Sequence, residues 1–116
     1  MKKDKTEKDN IFDIIYEVVR CVPKGRITTY GAIAAAIGVK SGARMVGYAM
    51  NHCNSLKPKV PAHRVLNRVG LLTGKAHFGT GDEMAELLRK EGVAVEEDKV
   101  QDFARLLWDP AIELGF

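Results

Sequence analysis

The sequence contains few cysteines, no long apolar run and, through its middle, no acidic residue. Only two cysteines, Cys21 and Cys53, occur among the 116 residues, which excludes a disulfide framework, and neither has the spacing of a metal-ligand motif. No apolar stretch approaches the roughly 20 residues needed to cross a bilayer. The lysine-rich start, Met1 to Lys8, lacks the apolar segment of a signal peptide. We therefore expect a cytoplasmic protein with no metal, no cofactor and no membrane partner.

Acidic residues are absent from position 18 to position 81, although that segment contains ten lysines and arginines. From Asp82 onward, ten acids accompany four basic residues. A solvated surface normally mixes both signs of charge, so a segment without carboxylates indicates a partner that repels them, most simply a phosphate backbone. The alternative is a basic face that has no ligand.

Length and apolar content indicate one small domain. A chain of 116 residues, of which 46% are hydrophobic, can bury one core but is short for two. We expect a flexible N-terminus over residues 1–9 and a single domain over residues 10–116. The first helix of this domain should be capped by Asp9 or Asn10 and should end near Cys21.

Two short helices in the middle of the sequence have the outline of a helix-turn-helix. The first should extend over Tyr30–Ile37, with Thr28 or Thr29 as its N-cap. Ser41 should cap the second helix, which ends near Met50. Many small helical proteins share this outline, but the missing acids favour its DNA-binding interpretation.

Beyond an irregular loop, two apolar pairs predict a small wing. Val65–Leu66 and Leu71–Leu72 flank a turn at Asn67–Gly70, and we expect them to pair as a short β-hairpin. A third amphipathic helix should cover Asp82–Glu91, and Phe103–Trp108 should contain a short closing helix that seals the core. The predicted fold class is a mainly α, winged helix-turn-helix-like single domain.

Three ordered blocks of the sequence resemble the DNA-binding domain of the O6-alkylguanine-DNA alkyltransferases. These blocks are Val22–Ala34, Ala43–Gly47 and Val60–Val65. The family pattern has Pro-Cys-His-Arg in the third block, whereas this chain has Ala62 in place of the cysteine that accepts the alkyl group. The same departure defines the alkyltransferase-like proteins, in which tryptophan or alanine stands at that position.

The alanine removes the chemistry of alkyl transfer. A thiolate activated by a neighbouring histidine can displace a carbon substituent from the guanine oxygen, and a methyl side chain cannot. The resemblance implies that His63 matches the activating histidine and Glu91 the glutamate that orients it, both left without a catalytic role. The alternative is a DNA alkyltransferase or other DNA-lesion enzyme with a different nucleophile, but nothing in the sequence brings Cys21 or Cys53 to the pocket.

The resemblance also implies DNA contacts and a lesion pocket. A base must leave the duplex before its O6 edge can be inspected, so Arg44, at the position of the family's arginine finger, would enter the vacated space. Tyr30 would contact the rotated nucleotide; a phosphate contact for Arg44 and a packing role for Tyr30 are the alternatives. The implied DNA contacts are Tyr30, Ser41, Gly42, Ala43, Arg44, Asn54 and Arg64. The implied pocket residues are Tyr30, Ala62, His63, Val65 and Lys75, although Lys75 has a phosphate contact as an equal alternative.

These features predict a monomeric damage sensor that is not an enzyme. As the resemblance implies, it would bind double-stranded DNA containing O6-alkylguanine, rotate the lesion into a pocket and pass it to nucleotide excision repair proteins. A transcriptional regulator is disfavoured, because the second helix offers Arg44 and a set of small residues instead of several base-reading side chains. The sequence assigns no role to Cys21, Cys53, His52 and His77.

Overall fold

Helices form most of the regular structure in the computed structural model, which describes residues 3–39, 42–53, 56–73 and 82–115. The helices are α1 (Lys3–Cys21), α2 (Tyr30–Ile37), α3 (Ala43–Asn51), α4 (Glu83–Lys90), α5 (Phe103–Leu106) and α6 (Pro110–Glu113). A single 3-10 turn covers Ala62–Arg64. The strands are β1 (Thr28–Thr29), β2 (Val65–Leu66), β3 (Val95–Glu96) and β4 (Lys99–Val100). The predicted class, a mainly helical single domain, is confirmed.

Helix α1 begins earlier than the sequence predicts. It starts at Lys3, so Asp9 and Asn10 lie inside the helix and do not cap it. Lysine and glutamate are good helix formers, and they continue the helix upstream of its first apolar residue. The C-terminal end at Cys21 is confirmed.

The helix-turn-helix outline is confirmed in α2 and α3. The Thr29 hydroxyl accepts a hydrogen bond from the backbone N–H of Ala32 at 2.9 Å and so caps α2. Gly38 ends α2 in the left-handed region, with φ of 74°. The N-cap of α3 is Gly42, which offers no side-chain cap, and the predicted capping residue, Ser41, lies outside the described residues.

The predicted hairpin partners are wrong. Strand β2 pairs in parallel with β1, with Thr28 opposite Val65, and the antiparallel pair is instead β3 with β4. The turn after β2 does form, because the Asn67 side chain accepts hydrogen bonds from Val69 N and Leu71 N at 3.0 and 2.9 Å. Leu71 then forms an isolated antiparallel β-bridge with Lys99. Since both residues of β2 are fully buried, they take a partner inside the domain and not at a solvent-exposed edge.

Two core clusters lie on opposite sides of the β1–β2 pair. Val65 joins the cluster formed by α1, α2 and α3, whereas Leu66 joins the cluster formed by α4, α5 and the β3–β4 hairpin. Successive strand residues point to opposite faces, so this short strand connects both clusters. The 3-10 turn that precedes it, Ala62–Arg64, is therefore held in place by contacts with both clusters.

The closing segment Phe103–Trp108 packs into the core as predicted, although its helix covers only the first four residues. α5 ends at Leu106, and the chain then runs beside Ile27, whose carbonyl accepts a hydrogen bond from Trp108 N at 2.7 Å. Trp108 is buried, so it belongs to the core. No helix in the described ranges is long and apolar enough to cross a membrane.

Candidate nucleic-acid interface

A buried polar network joins the 3-10 turn to the end of α4. Glu91 Oε2 lies 2.8 Å from His63 Nε2 and accepts a hydrogen bond from Arg64 Nη2 at 2.7 Å. Arg64 Nε donates to Glu91 Oε1 at 3.0 Å, and Arg64 Nη1 donates to the Val22 carbonyl at 2.8 Å. The side chains of His63, Arg64 and Glu91 are at most 13% exposed. This network fixes the orientation of the His63 ring.

The charges of the network follow from its hydrogen bonds. Burial alone would raise the pKa of Glu91, but hydrogen bonds from Arg64 and His63, together with their charges, lower the pKa to about 2. Burial lowers the pKa of His63 below its ordinary 6.5, and this effect outweighs the opposing effect of Glu91. The ionised Glu91 accepts a hydrogen bond from the N–H at His63 Nε2, which leaves Nδ1 of the neutral ring as a hydrogen-bond acceptor.

Ala62 precedes His63 as the first residue of the 3-10 turn. Its side chain is half-buried and packs against the first core cluster. A methyl group supplies neither a nucleophile nor a proton, so no covalent chemistry is available at this position. The turn therefore presents a histidine and its carboxylate partner beside an inert residue.

Neither cysteine belongs to the 3-10 turn that carries Ala62 and His63. Cys53 is 2% exposed, and its Sγ donates a hydrogen bond to the Met50 carbonyl at 3.3 Å. Burial raises the pKa of the Cys53 thiol, so the reactive thiolate form is disfavoured. Cys21 is exposed at the end of α1.

An open groove of about 300 Å³ runs along α3, beside the first residue of α2. Its lining residues are Tyr30, Ala43, Arg44, Gly47, Tyr48, Asn51 and Thr73. Tyr30 is the first residue of α2, and its hydroxyl is hydrogen-bonded to the Thr73 side chain. Burial raises the pKa of Tyr30 in spite of this hydrogen bond, so the phenol stays protonated and can donate. Arg44 is exposed on the facing helix.

The groove collects only part of the set of residues expected from the sequence, and neither Ala62 nor His63 is among its lining residues. Tyr30, Ala43 and Arg44 line it, and Gly42 lies directly before α3; their contacts with DNA stay predictions. Ser41, Asn54 and Lys75 lie outside the described residues.

The structure gives two of the expected residues internal positions. The hydrogen bonds of Arg64 go to Glu91 and Val22, so we assign it to the support of the buried network and not to the expected DNA contact. Val65 is completely buried, so it supports the 3-10 turn from behind and has no exposed surface to offer a lesion.

Sequence reasoning missed three groove residues, Tyr48, Asn51 and Thr73. Tyr48 and Asn51 follow Arg44 at positions i+4 and i+7, the spacing of one helical face, so the sequence did contain a signal for them. Thr73 had no such signal, because it reaches Tyr30 across the fold. Within the described ranges, no group of three or more metal-ligating side chains occurs.

Comparison with known proteins identifies relatives over most of the chain. Residues 10–93 match the family described as 6-O-methylguanine DNA methyltransferase, DNA binding domain. Alkyltransferase-like protein 1 of Schizosaccharomyces pombe is 32% identical over 107 residues, which cover 88% of this chain and 97% of the relative. The DNA base-flipping protein of Escherichia coli is 30% identical over 112 residues, 93% of this chain and 82% of the relative. A Salmonella typhimurium methylated-DNA–protein-cysteine methyltransferase is 41% identical over 78 residues, but the match covers 67% of this chain and 44% of that protein.

Solved structures of similar proteins superpose on this chain. S. pombe Atl1 in complex with damaged DNA containing O6-carboxymethylguanine superposes with a TM-score of 0.72 at 33% identity, covering 86% of this chain and 95% of that chain. The Mycobacterium tuberculosis O6-methylguanine methyltransferase superposes with a TM-score of 0.58 at 35% identity, covering 70% and 47% of the two chains.

Proposed function

Because this chain belongs to the family of the 6-O-methylguanine DNA methyltransferase DNA-binding domain, we propose that it recognises O6-alkylguanine in duplex DNA without removing the alkyl group. The observation that carries this proposal is Ala62, a methyl side chain directly beside the buried His63–Glu91 pair. Dealkylation requires a nucleophile that accepts the alkyl carbon, and this position has none. The protein therefore binds the lesion and leaves it chemically unchanged.

The retained polar network supports binding instead of catalysis. His63 has a fixed ring orientation, and Nδ1 of its neutral form is an acceptor that a donor on a bound nucleotide can use. Arg64 and Glu91 neutralise each other inside the protein, which avoids an unpaired buried charge. A small residue at Ala62 also leaves more volume for the alkyl substituent than cysteine or tryptophan would, so adducts larger than methyl should be accepted.

The groove along α3 suits the opened duplex next to a nucleotide that has rotated toward Ala62 and His63. Tyr30 and Arg44 face it from the two helices of the helix-turn-helix, and the surrounding segment from position 18 to position 81 contains no acid to repel phosphate. In this proposal Arg44 enters the space that the rotated base vacates, and Tyr30 contacts the displaced nucleotide. The structure of a relative with damaged DNA and the E. coli base-flipping relative support this arrangement.

A protein that holds a lesion without changing it requires a later step that removes the lesion. We assign that step to nucleotide excision repair proteins, to which a monomer of this protein would present the bound site in the cytoplasm. The damaged strand would then be excised and not directly reversed.

The test measures both binding and the fate of the alkyl group. The protein is incubated with a duplex containing O6-methylguanine and with the same duplex containing guanine, and affinity is measured beside mass spectrometry of protein and DNA. We expect tighter binding to the lesion with both partners chemically unchanged. Loss of the methyl group from the DNA, or an S-methylcysteine on the protein, would show that the protein is an enzyme.

Arg44→Ala tests how the lesion is selected. We expect it to reduce the preference for lesion DNA more than the general affinity for DNA, because the finger acts only where a base has left the stack. Arg68→Ala is the matched control, since Arg68 is an exposed arginine outside the groove. It should leave the preference unchanged. An equal loss on both duplexes for Arg44→Ala would reduce this residue to a phosphate contact.

A further inference from the structure

Two residues at one edge of the groove, Tyr48 and Asn51, have no role in the recognition proposed above. Arg44, Tyr48 and Asn51 occupy one face of α3 at positions i, i+4 and i+7, and all three are exposed. Tyr48 is 54% exposed, so more than half of this residue is open to solvent. The α3 face therefore offers a large planar apolar group beside the arginine.

Tyr48 does not hold the fold together. Within the described residues its hydroxyl has no hydrogen-bond partner, and only its backbone carbonyl is used, by His52 Nδ1 at 2.8 Å. The buried side of α3 is formed by other residues, Val46, Ala49 and Met50. The exposed ring is therefore available to a ligand of the groove.

Gly47 keeps the approach to this ring open. A Cβ atom added at Gly47 would meet nothing within 4 Å apart from its chain neighbours and the backbone of its own helix, so packing against the rest of the protein does not demand a glycine here. A side chain at this position would project into the groove that Gly47 lines. The small residues Ala43 and Gly47 thus let a bulky ligand come close to the helix backbone between Arg44 and Tyr48.

We infer that Tyr48 stacks on a base of the opened duplex beside the gap that Arg44 fills, which makes it a second lesion-selective contact of α3. This inference rests on the proposed function. Residues i and i+4 of a helix are about 5–6 Å apart, and stacked base pairs are about 3.4 Å apart, so the ring reaches within about two base pairs of the gap. Aromatic rings stack on any base, and wedges between base steps are common in proteins that bend DNA from the minor groove.

Two properties favour a base over a phosphate as the ligand of Tyr48. The phenol ring carries no charge with which to attract a phosphate, and the adjacent Arg44 already supplies the cation. A base face is exposed only where the stack has been opened, so the contact forms with lesion DNA and is lost in the intact duplex. Tyr48 then strengthens lesion binding selectively.

The experiment compares Tyr48→Ala and Tyr48→Phe with the wild-type protein on duplexes with and without O6-methylguanine. We expect Tyr48→Ala to weaken lesion binding at least about fivefold, the lower end of base–aromatic stacking, with little change on undamaged DNA. Tyr48→Phe should bind lesion DNA within about twofold, because the ring is retained. The slope of affinity against salt should be unchanged in both variants, since no charge is removed.

Ile112→Ala is the control for loss of an exposed apolar group. Ile112 is 75% exposed and does not line the groove, so its replacement should leave both affinities unchanged. The melting temperature of Tyr48→Ala should also match that of the wild type, because the ring is not part of the core.

The outcomes separate this inference from the proposed function. If the wild type prefers lesion DNA and Tyr48→Ala keeps that preference at full affinity, the stacking role is wrong while damage recognition stands. An equal loss on both duplexes also contradicts it, because the contact would then be one with intact DNA. If the wild type shows no preference for the lesion, the proposed function itself fails.

Discussion

Replacement of Glu91 by glutamine should remove a large and strongly pH-dependent part of the stability. The carboxylate accepts hydrogen bonds from Arg64 and faces His63 in a site where its side chain is 10% exposed. Its pKa falls from the ordinary 4.5 to about 2, which corresponds to about 3 kcal/mol at ~1.4 kcal/mol per unit. A loss of stability of about 3 kcal/mol is also typical when one partner of a buried ion pair is removed. We therefore expect Glu91→Gln to be about 3 kcal/mol less stable at neutral pH.

The pH dependence has a definite sign. A carboxyl whose pKa is lowered by folding stabilises the folded state fully above its unfolded value, near 4.5, and loses that effect as the pH falls through the folded value near 2. The difference between wild type and Glu91→Gln should thus be constant from neutral pH down to about pH 5. By about pH 3 roughly 2 kcal/mol of it should be lost.

Urea unfolding at a series of pH values measures this difference directly. Glu86→Gln is the matched control, because Glu86 is an exposed glutamate on α4; its replacement should change stability by no more than about 0.5 kcal/mol. Parallel pH profiles for wild type and Glu91→Gln would refute the reasoning. Such a result would mean that Glu91 is not held as a buried carboxylate by Arg64.

Two further predictions concern the site and its support. Ala62→Cys should restore transfer of one methyl group per protein from O6-methylguanine, because the new thiol lies next to His63 in the chain and His63 Nδ1 is free of the Glu91 hydrogen bond. Mass spectrometry would detect the methylated protein, and the control Ala62→Ser should give none. An unmodified Ala62→Cys protein would contradict the expectation. Thr29→Ala should lower stability by about 1 kcal/mol through loss of the α2 cap; an unchanged urea midpoint would show that the cap contributes nothing.

Local signals in the sequence predicted several helices correctly. Thr29 and Gly38 mark the ends of α2 by chemistry that acts within a few residues, a capping hydroxyl and a left-handed stop. The inward positions of α4 likewise follow from the spacing of Met84 and Leu88, which are fully buried. Such features depend only on neighbours along the chain, so one sequence suffices to find them.

Contacts between distant segments were not predictable in the same way. Thr28 pairs with Val65, and Arg64 bonds to Glu91 and to the Val22 carbonyl, across separations of 27 residues or more. Neither periodicity nor charge pattern distinguishes these pairings from others of similar composition. The sequence therefore places Arg64 among the predicted DNA contacts, although folding directs its side chain to Glu91 at the end of α4.

Residues 27–29 are bound along both edges, and this has a consequence for the far end of the chain. Thr28 pairs with Val65 on one side, while Ile27 bridges to Leu107 on the other, where the Arg26 guanidinium also donates to the Leu106 and Leu107 carbonyls at 2.9 Å. The next residue after this doubly tethered backbone is Tyr30, in the wall of the groove. The tail beyond the family match at residue 93 thus supports the start of α2 from behind. A truncation that spares every groove residue would still loosen the first turn of α2.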